Sequence, residues 1–312
     1  MRIHLPKWYT NPMLLERYLI KHAQSLPEPF RPALSDVTAV RQLARLRRVV
    51  CVGASVFEAP HSVLSRYFAL QDQTLEQKQH VLQIAGSIAS RQRDRSARAL
   101  TAAVREAGLP LREPEVEQED TVLLARLDRT WYLLGDESAM EAEGVELGVT
   151  SQTIAAQMES EGSRVLFLAQ KQPKRLLGIF AITDPVLPDA PIAVRRLREL
   201  GIELVLLTVE KTRVATGIAG QLGIDLLRSE LDQAEKERVL ASLMEGEHNA
   251  AVLSDASHYL QTPESTFVIL VDNRSVASAG VVISSIAQLP DLVIAARTIA
   301  TRARHRFFWI NV

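Results

Sequence analysis

Residues 201–208 read Gly201-Ile202-Glu203-Leu204-Val205-Leu206-Leu207-Thr208. Four large apolar residues follow one another here with no polar alternate, the mark of a strand covered on both faces. A glycine before the run and a threonine after it bound a segment of strand length. Working outward, similar runs recur at 176–182, 250–254 and 266–271, and amphipathic stretches near 191–200, 212–222 and 235–245 alternate with them. Buried strands separated by crossover helices predict an open, doubly wound parallel sheet, an α/β fold. Upstream, 47–53 (RRVVCVG) has the same buried-strand character and is expected to join that sheet.

Between 60 and 175 the pattern changes. Residues 75–107, rich in Ala, Gln and Arg, predict two helices, and 121–127 with 130–134, separated by Asp128-Arg129, predict a hairpin. The segments 165–169 and 176–182 are candidates to pair with it. The expected organisation is an N-terminal arm over 1–33, an α/β domain from 34–59 and 176–312, and a smaller α+β insertion over 60–175. The arm carries Pro6, Pro12, Pro27, Pro29 and Pro32 and one short helix near 14–24.

Across the 312 residues, 36 basic and 37 acidic side chains leave a net charge of −1. No global field attracts nucleic acid, so a nucleic-acid partner is not expected. The lone Cys51 excludes an internal disulfide and fits a reducing compartment. The N-terminus has no uninterrupted apolar core of the secretory kind. Residues 279–296 (AGVVISSIAQLPDLVIAA) approach the length of a membrane span, but Pro290-Asp291 reads as a helix start after a strand. A cytoplasmic protein is expected.

From Gly178 onward the order of features resembles the phosphorylation domain of P-type cation-transporting ATPases, particularly the heavy-metal transporters, within the haloacid dehalogenase superfamily. That family runs an acidic residue, a helix, a Gly-Ile strand ending in Thr-Gly-Asp, a helix ending in Leu-Gly-Ile, a lysine, and Gly-Asp-Gly-x-Asn-Asp. The counterparts are Asp184, Gly201 to Thr208, Gln221-Leu222-Gly223-Ile224, Lys236 and Ser254-Asp255. Residues 33–58 look like the segment leading into the family's Asp-Lys-Thr-Gly-Thr motif. Residues 84–101 (IAGSIASRQRDRSARALT) look like the helix pair of its nucleotide-binding domain. The resemblance covers 34–309 and implies a Rossmann-like haloacid-dehalogenase domain with an inserted α+β, nucleotide-domain-like unit. The family's transmembrane helices and actuator domain have no counterpart among these residues.

The resemblance also implies what chemistry is missing. The family phosphorylates an aspartate, with Mg²⁺ and a lysine neutralising the transferred group. Val52 stands at the nucleophile position, and valine has no lone pair to attack phosphorus. Thr208, Lys236 and Asp255 persist as a residual phosphate or weak Mg²⁺ set. Glu210 replaces the aspartate of Thr-Gly-Asp, and His258 and Tyr259 replace the later Asn and Asp. At the nucleotide domain's His-Pro positions stand Asp94 and Arg95, and no glycine occurs between Gly108 and Gly135, so the ATP pocket is expected to be degenerate. No resident cofactor or metal is expected, and the seven histidines form no ligand spacing. A C-terminal basic helix carries Arg297, Arg302, Arg304 and Arg306 and runs into Phe307-Phe308-Trp309. Arg302, Arg306 and the three aromatics form the expected contact with a protein partner, a second copy or a membrane interface. The expected function is a catalytically inactive scaffold, assembly or regulatory protein. The alternatives are a nucleotide or phospho-ligand sensor without turnover, and a phosphatase of this superfamily using another nucleophile.

Overall fold

A computed structural model describes residues 17–18, 21–22, 36–72, 74–118, 122–255, 266–271 and 280–306. The chain divides into two compact units, one of 1–57, 187–210 and 219–312, the other of 58–186 and 211–218. Of the expected N-terminal arm, 17–18 and 21–22 are helical, and the remainder lies outside the described residues.

The first unit is built on a parallel sheet. Its strands are β1 (Arg48–Val52), β8 (Glu203–Leu207), β9 (Leu226–Arg228), β10 (Ala250–Asp255), β11 (Val268–Val271) and β12 (Val281–Ile283). They stand side by side as β12-β11-β10-β1-β8-β9, every neighbour parallel. From β1 the chain first adds strands on one side and then returns to add them on the other, the doubly wound order whose reversal lies between β1 and β10. Helix α8 (Gln233–Met244) covers one face, where Val50, Val52, Val205, Leu207 and Val252 meet Leu240. Two-residue alternation places Cys51 on the opposite face, also fully buried. Helices α1 (Val37–Arg45), α6 (Ala190–Glu199) and α9 (Leu289–Arg306) pack together in the same unit. Arg196 of α6 pairs with Asp291 near the start of α9. From 281 to 296 the run is thus strand, 3₁₀ turn and helix, and no helix among the described residues is long and apolar enough to cross a membrane.

The second unit has an antiparallel sheet ordered β2-β7-β6-β5-β4-β3. These are β2 (Val63–Ala69), β3 (Glu115–Gln118), β4 (Leu123–Leu127), β5 (Thr130–Gly135), β6 (Arg164–Gln170) and β7 (Arg175–Thr183). Both faces are covered. Helices α2 (Leu75–Ala89) and α3 (Arg95–Glu106) pack on Leu123, Ala125, Leu127, Leu168, Phe180 and Ile182. Helices α4 (Glu137–Ala142) and α5 (Val149–Ser160) pack on Leu124, Leu133, Phe167, Ile179 and Ala181. The β4–β5 turn holds Asp128 and Arg129 at φ 48° and 69°. Helix α7 (Thr212–Leu222) begins among the residues counted with this unit.

The expected pairing of 165–169 and 176–182 with the hairpin is present, and the expected bounds of the insertion change. The run 176–182 belongs wholly to the antiparallel sheet as β7, and the chain returns to the first unit at 186/187 rather than 175/176. An antiparallel strand buried on both faces shows the same continuous apolar run as a parallel one, so the pattern alone does not separate them. The outward crossing lies at 57/58. Phe57 and Leu187, then Ala59 and Pro185, are joined by backbone hydrogen bonds of 2.8 Å each.

Candidate functional site

The carboxyl edge of the parallel sheet, where the strand order reverses, is where α/β folds of this kind bind ligands. β1 ends there at Val52, fully buried in the cluster with Leu207 and Leu240. Gly53 takes φ +87° and donates its N–H to Leu207 O at 2.7 Å, turning the chain into the 3₁₀ turn Ser55–Phe57. No side chain at position 52 offers an oxygen to phosphorus or to a metal.

Thr208 follows β8 and is 4% exposed. Its backbone is fastened on both sides, N–H to Arg228 O at 2.9 Å and carbonyl from Leu231 N at 3.1 Å, and its hydroxyl oxygen accepts the Glu210 N–H at 3.2 Å. Lys236 sits in the first turn of α8, behind a capping box in which Asp232 and Glu235 satisfy each other's backbone donors. The Lys236 residue is 4% exposed, and no ion pair among the described residues engages its ammonium. Burial lowers its pKa, opposed by the charge of Glu210. Asp255 ends β10, half-buried, and its carbonyl accepts the Ser254 hydroxyl at 3.0 Å. Thr208, Glu210, Lys236 and Asp255 therefore share the carboxyl edge with Val52. His258 and Tyr259 lie outside the described residues.

Mg²⁺ asks for an octahedral shell of oxygens, usually including paired carboxylates. On the described strand ends Asp255 is the carboxylate, Val52 supplies none, and no group of three acidic, His or Cys side chains forms a metal cluster among the described residues. Among the described residues, the position of the family's second Mg²⁺-binding carboxylate is the apolar Val52.

Asp94 and Arg95, expected at a degenerate nucleotide pocket, have other work. Asp94 is the N-cap of α3, accepting from Ala97 N at 2.9 Å. Arg95 reaches Asp184 at 3.2 Å and Ala59 O at 3.3 Å. Asp184 also accepts from Arg164 at 2.8 Å and from the Ser62 hydroxyl. The cluster ties 59 and 62 to 184, a role for Arg95 and Asp184 that sequence order does not show because their partners come from distant segments. Arg91, in the same run, pairs with Glu113 at 2.9 Å. Cys51 is fully buried and burial raises its pKa far above the reactive range, so it is a core residue. On α9, Arg302 is exposed while Ile299, Ala300 and Ala303 are buried. Arg306 ends the helix, and Phe307, Phe308 and Trp309 lie outside the described residues.

Comparison with known proteins places these features in context. Residues 69–258 match the haloacid dehalogenase-like hydrolase family. The copper-exporting P-type ATPase of Vibrio cholerae is 31% identical over 133 residues, which are 43% of this chain and 14% of that protein. The zinc-transporting PIB-type ATPase solved in its E2.Pi state superposes with a TM-score of 0.71 at 16% identity, over 93% of this chain and 47% of that one. The catalytic domain of the CPx-ATPase CopB-B superposes with a TM-score of 0.59 at 12% identity, over 83% of this chain and 93% of that one. The match thus spans 14% of the Vibrio cholerae transporter and about half of the solved zinc transporter. With the parallel sheet, the inserted antiparallel unit and a match over more than half of its residues, this chain belongs to the haloacid dehalogenase-like hydrolase family and is related to the P-type ATPases within it.

Proposed function

We propose that the chain is a non-catalytic member of this family that works as a scaffold, assembly or regulatory protein through protein contacts in the cytoplasm. The observation that carries the reading is Val52. At the end of β1 it is fully buried among Val205, Leu207 and Leu240, so the nucleophile's position is part of an apolar core. An acyl-phosphate needs a carboxylate there. The purified chain, incubated with radiolabelled ATP and Mg²⁺, is expected to acquire no acid-stable phosphate and to hydrolyse no phosphomonoester above background. Label abolished by Lys236→Ala would falsify the reading and favour a hydrolase with another nucleophile.

Contact with a partner is assigned to the end of α9, through Arg302, Arg306 and Phe307 to Trp309, because Arg and large aromatics dominate interface energetics. Truncation after Arg306 is then expected to weaken association in sedimentation or cross-linking while leaving the thermal midpoint nearly unchanged.

A second reading, binding of a phosphate-bearing ligand without turnover, is favoured by one specific observation. Lys236 is buried beside Thr208's edge of the sheet with no carboxylate at ion-pair distance among the described residues. Burial disfavours the ammonium and the charge of Glu210 offsets this only in part, so a bound anion would reduce the remaining cost. Calorimetry with ATP and with inorganic phosphate, on the wild type and on Lys236→Met, separates this reading from the first.

A further inference from the structure

At the opposite, amino-terminal edge of the same parallel sheet, a solvent-open cleft of about 440 Å³ is lined by Ala44, Arg45, Arg47, Leu200, Asn249 and Arg297. One strand length separates it from Val52, roughly 16 Å at the usual rise per residue. Three of the six lining residues are arginines, in a chain whose net charge is −1. None of the ion pairs among the described residues uses Arg45, Arg47 or Arg297, whereas the neighbouring Arg48 is held by Glu203 at 2.6 Å and by Glu247 at 3.3 Å.

The backbone beneath the cleft is fixed. Arg47 N–H donates to Asn249 O at 2.8 Å, and Arg47 O accepts from Glu203 N at 2.8 Å, so Arg47 is set by the first bonds of the sheet. Arg297, reaching in from α9, donates to Leu200 O at 2.8 Å and to Leu46 O at 3.1 Å. Those carbonyls close α6 and α1, whose C-terminal dipoles would otherwise repel an anion. Arg297 covers them with two of its five N–H donors, one from each terminal nitrogen.

Serving as a clamp on two carbonyls accounts for Arg297 alone. Burial lowers the Arg297 pKa, and the nearby charge of Arg47 lowers it further, a proximity that the clamp leaves unexplained. Like charges held together by a rigid backbone are unfavourable until an anion joins them. Planar guanidiniums converging on one cleft match the oxygens of a phosphate group.

We propose that this cleft binds a phosphate group through Arg45, Arg47 and Arg297, at a site distinct from the carboxyl edge of the sheet. The phosphate belongs to a soluble phosphomonoester or to a lipid headgroup, which share this chemistry.

The full-length chain is titrated with inorganic phosphate by calorimetry, and is sedimented with phosphatidylcholine vesicles with and without phosphatidic acid. Each arm is repeated with Arg45→Gln/Arg47→Gln, two exposed positions whose change leaves the core intact, and with Lys236→Met. Saturable phosphate binding that weakens about tenfold or more in the double variant and persists in Lys236→Met supports a soluble ligand. Sedimentation that requires phosphatidic acid and is lost in the double variant supports a headgroup. Absence of binding in both arms overturns the proposal, as does binding indifferent to the double variant or binding abolished by Lys236→Met alone. A thermal scan of each variant confirms that the fold is retained.

Discussion

Lys236 shows how one residue's identity and its surroundings carry different information. Its place in the order of motifs is legible in the chain, but its burial without a carboxylate at ion-pair distance comes from α8 lying on the sheet. Its folded pKa lies below 10.5 because burial disfavours the ammonium. Below that lowered value both folded and unfolded chains hold the proton, and the full cost of the buried charge is present. As pH rises from the lowered value towards 10.5, the unfolded chain holds the proton that the folded chain has lost, so this lysine's cost fades. Lys236→Met is therefore expected to stabilise the protein by no more than about 1 kcal/mol near neutral pH once solvent screening is counted, with the gain shrinking as the solution becomes alkaline. Urea unfolding of both proteins at neutral and alkaline pH measures it, and a destabilised variant would point to a counter-ion that holds the ammonium. Asp94 and Arg95 teach the converse. Aligned by motif order they stand at nucleotide positions, but a helix start needs a cap and Asp184 needs cations, and those nearer demands are what the two residues meet.

At the scale of elements, helix pairs and strands follow local patterning well. The two helices expected over 75–107 and the hairpin about Asp128-Arg129 are present, because periodicity and turn residues act within a few positions. Contact between elements is less legible. Gly86 in α2 is needed not for its φ but for space, since a Cβ there would stand 2.2 Å from Val104 Cγ2 and 3.1 Å from Leu100 O of α3. Helix propensity alone favours alanine by about 1 kcal/mol. Gly86→Ala is nevertheless expected to destabilise the protein by roughly 1–3 kcal/mol through overpacking. Chemical denaturation decides the sign, and a stabilised variant would mean that α2 and α3 separate freely. The strand β7 shows the same limit, since its apolar run states that it is buried without stating in which sheet.

For the molecule as a whole, the family's chemistry requires several residues to converge at the carboxyl edge, so restoring one is not expected to restore turnover. Val52→Asp would place a carboxylate among Leu207, Leu240 and Val252. Glu210 would still stand after β8 where the family has an aspartate, and His258 and Tyr259 where it has an asparagine and an aspartate, so the Mg²⁺ shell would still be disturbed. The variant is expected to be less stable and to form no acyl-phosphate, and recovery of ATP hydrolysis by this single change would show a more complete site. The sequence by itself determined the alternation of buried strands and helices, the valine at the nucleophile position, and the compositional break that marks the insertion. Each is a property of residue identity or of spacing over a few positions, which the chain carries wherever it folds. Only the tertiary structure decided that 175–183 lies between β2 and β6, that Arg95 and Arg164 meet at Asp184, and that Arg45, Arg47 and Arg297 line one cleft. Those outcomes depend on packing between segments as many as 251 positions apart, as in the bond from Arg297 to Leu46. Burial and charge are set there by neighbours that no local pattern names.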